Sequence, residues 1–214
     1  MTSKLDHMSD ADLERADEKS RKRKAARDKM LAEKTIEKGL LIVHTGKGKG
    51  KSTAAFGLVF RALGNGMRVG IIQFVKGKWE TGERYALDKF GDQVETRAMG
   101  EGFSWDTQDK ARDIRAAEAA WAQAEEWIEA CRGDTPKFDM ILLDELNIPL
   151  RYDNLNIDRV TKFLSQKPKD LHVIVTGRNA KDALIEVADL VTEMGQVKHP
   201  FREQNVKAQK GIEF

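Results

Sequence analysis

Thr45-Gly46-Lys47-Gly48-Lys49-Gly50-Lys51-Ser52-Thr53 follows the apolar run Leu40-Leu41-Ile42-Val43 and leads into Ala54-Ala55-Phe56-Gly57-Leu58-Val59-Phe60. The order reads as strand, phosphate loop, helix. Gly50-Lys51-Ser52 ends the stretch as a P-loop ends: backbone N–H groups freed by glycine surround phosphate oxygens at a helix N-terminus, a lysine neutralises them, and a hydroxyl reaches Mg²⁺. The pattern G-x-x-x-x-G-K-[ST] asks for glycine at position 45, where Thr45 stands. Glycine instead recurs as Gly46-x-Gly48-x-Gly50, so the cradle is expected to be shaped differently, with three lysines aimed at one small place.

Outward from that loop, the rest of the chain reads as one α/β domain with an extension. The 214 residues suffice for a single core, and 37 basic against 35 acidic residues leave a net charge of only +2. No global field therefore points to nucleic acid or an anionic membrane. Cys131 is the lone cysteine, which excludes an internal disulfide and a cysteine zinc cluster and fits a reducing, cytoplasmic setting. No apolar run approaches the ~20 residues of a membrane span.

Residues 1–38 form a charged arm ahead of a domain at 39–214. From Asp10 to Lys38, 18 of 29 residues are charged, without Gly or Pro, so the segment reads as a helix too polar for a core. It is either a solvated arm or a lid on the active-site mouth of its own or a neighbouring subunit. A nucleic-acid arm is weakened by the lack of aromatics between the basic residues.

After the P-loop helix, which stops at Gly64-Asn65-Gly66, Arg68–Val75 reads as a second strand, and Lys76–Arg84 continues as a loop at the sheet edge where open α/β folds place ligands. Gln93–Met99 alternates like a third strand and enters Gly100-Glu101-Gly102-Phe103-Ser104-Trp105. Two aromatics directly after a pair of glycines are either a plug for the sheet end or a face for a flat apolar ligand. Asp106–Arg132 is a long amphipathic helix through Ile114, Ala117, Trp121, Ala124, Ile128 and Cys131.

Phe138–Glu145 is a buried strand ending in two carboxylates, a second strong signal. Opposite a P-loop lysine, Asp144 suits the Mg²⁺ shell and Glu145 suits orientation of a nucleophile or coordination. Asn147–Tyr152 reads as a loop, Ile157–Ser165 as a helix, and Leu171–Thr176 as a strand ending in Gly177-Arg178-Asn179. Arg178 either meets phosphate, the favoured reading, or pairs with Asp144 or Glu145. Ala180–Ala188 reads as a helix, Leu190–Met194 as a last strand, and the remainder as an irregular tail in which His199, beside Pro200, reads as a structural or surface histidine and not a metal ligand.

Taken together, these residues resemble the P-loop ATP:corrinoid adenosyltransferases, which place the adenosyl group on cobalt in vitamin B12 synthesis. The resemblance covers about residues 39–214 through His44-Thr45-Gly46-x-Gly48-Lys49-Gly50-Lys51-Ser52-Thr53-Ala54-Ala55, Gln73-Phe74-x-Lys76-Gly77, Gly102-Phe103-x-Trp105, Leu143-Asp144-Glu145-Leu146, Thr176-Gly177-Arg178 and Val206-Lys207-Ala208-Gln209-x-Gly211-Ile212. The aromatic loop and the tail make it specific, since loop and acidic strand alone fit many families.

The resemblance implies a P-loop NTPase-like, mostly parallel sheet and an alkylation. A Co(I) corrinoid attacks C5′ of ATP, and inorganic triphosphate leaves. ATP falls to Thr45, Gly46, Lys47, Gly48, Lys49, Gly50, Lys51, Ser52, Thr53 and Arg178, held reversed relative to other P-loop proteins. Lys47 departs from the Asn common at that position. Lys51, Asp144 and Glu145 carry catalysis, with Ser52, Asp144 and Glu145 around Mg²⁺ or Mn²⁺. Met99, Phe103 and Trp105 fall to the corrinoid, the aromatics excluding its lower axial ligand. The expected partners are a reduced flavin or flavoprotein reductase and a second copy of the chain, with no nucleic acid and no membrane. Two other readings share the P-loop: a nucleic-acid-stimulated ATPase, and a corrinoid carrier that turns nothing over.

Overall fold

The computed structural model describes residues 8–75, 82–100 and 109–213. It divides into two units, residues 1–37 and 38–214. The first holds helix α1, Asp10–Ala32, started by a capping box in which the Ser9 hydroxyl accepts the Asp12 N–H and the Asp12 carboxylate turns back to the Ser9 N–H. Those bonds meet helix-start donors that the regular i to i−4 ladder leaves open. No residue of α1 is buried, so its helicity rests on capping and surface pairs such as Glu18 with Lys22, 2.7 Å apart.

The second unit is an α/β sandwich on six parallel strands. They are β1 Leu41–Thr45, β2 Val69–Gln73, β3 Val94–Ala98, β4 Met140–Asp144, β5 His172–Thr176 and β6 Leu190–Glu193, in the order β3-β2-β4-β5-β1-β6. Every pairing is parallel. β1, β2, β4 and β5 are near-continuous apolar runs because both faces of the sheet are covered.

Alternation along each strand divides the core in two. Leu41, Val43, Ile141, Leu143, Val173 and Val175 share one cluster with Trp121, Trp127 and Ile128 of helix α4, Lys110–Glu129. Ile42, Leu142 and Ile174 face the other way, onto Ala55, Phe56, Val59 and Leu63 of helix α2, Lys51–Gly64. Both tryptophans of α4 are packing residues, Trp127 lying 4.9 Å from the Phe138 ring. Cys131 is a core thiol donating to the Trp127 carbonyl, and burial raises its pKa, which makes it unreactive.

Several elements depart from the sequence reading. Asn147–Tyr152, expected as a loop, contains helix α5, Asn147–Arg151. Pro149 does not prevent this, because first-turn N–H groups have no partner within a helix. Gly82–Arg84, also expected as loop, opens helix α3, Gly82–Leu87, followed by a 3₁₀ segment Asp88–Gln93. The tail holds a short helix after helices α6, Ile157–Ser165, and α7, Asp182–Val187. This is α8, Pro200–Glu203, where proline occupies a first-turn position. Ile114 belongs to the apolar stripe of α4 by spacing yet is 36% exposed. Among the described residues no helix is long and apolar enough to cross a membrane.

Candidate active site

The carboxyl ends of β1, β2, β4 and β5 converge on the start of α2. β1 stops at Thr45, and Gly46-Lys47-Gly48-Lys49-Gly50 carries the chain to Lys51, the first residue of α2. The loop lies against the end of β6: the Gly48 N–H donates to the Met194 carbonyl at 2.7 Å, and the Met194 N–H donates to the Thr45 carbonyl at 2.9 Å. That closeness is why glycine recurs here. A Cβ on Gly46 would stand 2.5 Å from the Met194 carbonyl oxygen, and φ there is +98°.

Gly50, at φ +104°, would meet only the Met194 sulfur at 3.7 Å. Gly46→Ala is therefore expected to destabilise by roughly 2–5 kcal/mol, summing left-handed strain and a backbone clash, and Gly50→Ala by about 1–2 kcal/mol from strain alone. Urea unfolding of both variants tests this, and equal losses would remove the close-packing account of Gly46.

Thr45, expected to touch ATP, is buried, and its hydroxyl accepts the Ala180 N–H at 2.9 Å. It therefore ties β1 to the segment after β5. Lys47, Thr53 and Arg178 are exposed. Lys49 is ion-paired with Glu213 of the tail, a contact between distant segments that no local pattern announces. Gly50 caps α2 through its backbone alone, with no side chain on the first-turn N–H groups and no acid among them. An uncapped helix start of this kind favours an anion.

Lys51 is 6% exposed, and its ammonium donates to the Gly48 carbonyl across the loop. Burial holds its pKa below the ordinary lysine value. Glu145 acts in the opposite sense, while Arg178 and Lys49 deepen the depression. Lys51, Glu145, Arg178 and Lys49 are thus near enough to act on one another electrostatically. His44 fixes the same turn from below, its Nδ1 donating to the Lys51 carbonyl at 3.3 Å.

Asp144 ends β4 with 0% exposure. Its Oδ1 accepts from the Ser52 hydroxyl at 2.8 Å and from the Thr176 hydroxyl at 2.8 Å, and its Oδ2 accepts from the Gln73 amide at 3.3 Å. The Ser52 contact joins the beginning of α2 to the end of β4. Glu145 follows at φ +64°, an unusual conformation for a residue with a side chain, and its N–H donates to Thr176 Oγ1 at 2.9 Å.

A hydroxyl beside a carboxylate is a donor set suited to a Mg²⁺ held mainly by its nucleotide. Among the described residues no cluster of three or more His, Cys, Asp or Glu could hold a metal independently. The residues thus fit a divalent ion carried in on the nucleotide.

Met99 is half-buried beside this corner, its N–H on the Gln73 carbonyl at 3.0 Å. Phe103 and Trp105 lie outside the described residues. The sequence reading did not select Gln73 or Thr176 as donors to Asp144. Their signal was present, since each is a polar residue ending an apolar strand, as Asp144 is.

The match to the family model ATP:corrinoid adenosyltransferase BtuR/CobO/CobP covers residues 37–214. A corrinoid adenosyltransferase of Sinorhizobium sp is 55% identical over 198 residues, spanning 92% of this chain and 90% of that protein. The Pseudomonas aeruginosa protein of the same name is 48% identical, over 92% and 94% of the two chains. That of Escherichia coli K12 is 41% identical, over 94% and 98%.

Proposed function

This chain belongs to the ATP:corrinoid adenosyltransferase family and is a transferase acting in cobalamin synthesis, and we propose that the corner between α2, β4 and β5 is where it handles the triphosphate of ATP. The observation that carries this is the Ser52–Asp144 hydrogen bond beside buried Lys51. It joins the hydroxyl and the carboxylate that the counter-ion requires, next in sequence to the buried lysine that phosphate requires.

In the reaction proposed, the electron pair on Co(I) of the corrinoid substrate forms the Co–C5′ bond. The C5′–O bond of ATP breaks, and its electrons leave on inorganic triphosphate. The protein's task is to stabilise charge on that departing oxygen. Lys51 and the loop N–H groups other than that of Gly48, which Met194 holds, would face the phosphates, with Lys47 and Arg178 supplying positive charge at the rim and Lys49 doing so once released from Glu213. Ser52 and Asp144 would hold Mg²⁺ or Mn²⁺, with Glu145 in its shell or at the ribose. When bound, the ion supplies further positive charge to the triphosphate oxygens.

Met99, Phe103 and Trp105 are assigned to the corrinoid. Apolar side chains beneath the ring keep donors off cobalt, which lowers the orbital that accepts an electron and eases reduction of Co(II). The electron is assigned to a reduced flavin or flavoprotein, and the working form to a cytoplasmic homodimer.

Anaerobic incubation with ATP, Mg²⁺ and chemically reduced corrinoid tests the reaction. Loss of the Co(I) spectrum should be matched mole for mole by adenosylated product and inorganic triphosphate. Diphosphate plus phosphate appearing from the outset would favour an ATPase reading.

A further inference from the structure

Thr176 ends β5, the strand lying between β1, which feeds the phosphate loop, and β4, which ends in the two carboxylates. It is 0% exposed. A hydroxyl has one proton to give and lone pairs to receive with, and Thr176 uses both: it donates to Asp144 Oδ1 at 2.8 Å and accepts the Glu145 N–H at 2.9 Å. One side chain on a neighbouring strand thus fixes the carboxylate of Asp144 and the backbone of the next residue.

That second contact falls where it is most needed. Glu145 sits at φ +64°, a conformation that persists in a non-glycine residue only when its surroundings hold it. The Glu145 N–H, turned out of the β4 ladder, finds its acceptor in Thr176. Gly177 follows at φ +128°, where a Cβ would stand 2.8 Å from that of Asn147 and 3.1 Å from the Glu145 carboxylate. Asn147 is fully buried and closes the arrangement by donating from Nδ2 to the Gly177 carbonyl at 3.0 Å. The end of β5 and the turn after β4 are therefore built against each other, with Thr176 the shared hydrogen-bonding group.

We infer that Thr176 is a positioning residue for adenosyl transfer, its hydroxyl aligning Asp144 and Glu145 as one unit for the divalent ion and the triphosphate. This rests on the assignment of Asp144 to that ion. Valine has the shape of threonine without the hydroxyl, so Thr176→Val leaves the packing and removes both hydrogen bonds. Serine restores the hydroxyl and gives up only a methyl group.

The experiment is an electron paramagnetic resonance titration of Mn²⁺ into the full chain with ATP, run beside steady-state transfer to pre-formed Co(I) corrinoid. Thr176→Val is expected to weaken Mn²⁺ affinity and lower kcat by about 10- to 100-fold. KM for the corrinoid should hold, and Thr176→Ser should recover most of both losses. Wild-type Mn²⁺ affinity and kcat in Thr176→Val would overturn the inference. So would a serine variant as impaired as the valine one, since the methyl group would then be what matters. Thr176→Ala, which adds no bulk, repeats the test if the valine variant does not fold. Asp144→Asn in the same titration checks the premise separately. If it loses Mn²⁺ while Thr176→Val does not, only the inference on Thr176 falls; if it binds Mn²⁺ as wild type does, both fall.

Discussion

Lys51→Ala is expected to lower adenosyl transfer by at least about a hundredfold even when Co(I) corrinoid is supplied ready-made, and Asp144→Asn by a similar factor, because charge on the departing oxygen loses a counter-charge in a site sheltered from water. Both losses should fall on kcat. Lys51 is buried with its ammonium on the Gly48 carbonyl, so alanine removes a cation that water cannot replace in the same place. Asp144→Asn keeps the shape and changes the charge. Its amide also presents a donor where Ser52, Thr176 and Gln73 already donate, so like groups meet and the corner must rearrange. Near-normal rates in either variant would sink the assignment.

The depressed pKa of Lys51 adds a pH signature. Phosphate favours the charged lysine, so nucleotide binding draws a proton onto Lys51 wherever the pH lies between its depressed value and its value in the complex. Binding that takes up protons weakens as pH rises. ATP affinity should therefore start to fall below the ordinary lysine value of 10.5, and this part of the pH dependence should vanish in Lys51→Ala. Calorimetry in buffers of different ionisation enthalpy would count the protons directly.

Much of this architecture was legible because it is written in short-range patterns. The strand-loop-helix at 40–60 and the apolar strand closing on Asp144 need only a few adjacent residues each, and the sheet places them together with no further information. Ile157–Ser165 was readable for the same reason, its N-cap Asn156 and apolar spacing lying within three turns. What escaped was set by partners far away in sequence. Helix α5 carries its proline in the first turn, where no helical hydrogen bond is lost, and Asn147, Pro149 and Leu150 are buried, so tertiary packing supplies the stability that so short a segment lacks alone. The Thr45 hydroxyl, expected at ATP, is engaged by Ala180, 135 residues away, and Lys49 by Glu213. The donors on Asp144 belong to an intermediate class. Gln73 faces Asp144 across the β2–β4 register, which no local period reveals, though a polar residue closing an apolar strand can be recognised once the strand order is known.

Replacing Phe103 or Trp105 with alanine is expected to separate reduction of cobalt from its alkylation. Neither side chain carries a group that could assist nucleophilic attack, so their work should end once Co(I) exists. Alanine opens the lower face of the corrin to water or to the corrinoid's own base. Co(II) then stays five-coordinate, and a mild flavin reductant delivers its electron on the order of ten- to a hundredfold more slowly. Strong chemical reduction should restore transfer nearly to the wild-type rate. Aspartate at either position should be worse than alanine with the flavin donor, because a carboxylate can itself donate to cobalt as well as admit water. The decisive comparison sets activity with reduced flavoprotein against activity with pre-formed Co(I), for wild type and both alanine variants, with thermal melts to establish folding. A loss confined to the flavoprotein assay supports the corrinoid assignment. Equal losses in both assays with stability intact would mean that the aromatics shape the nucleotide site, and a fall in melting temperature large enough to explain the loss would make them a plug for the end of the sheet.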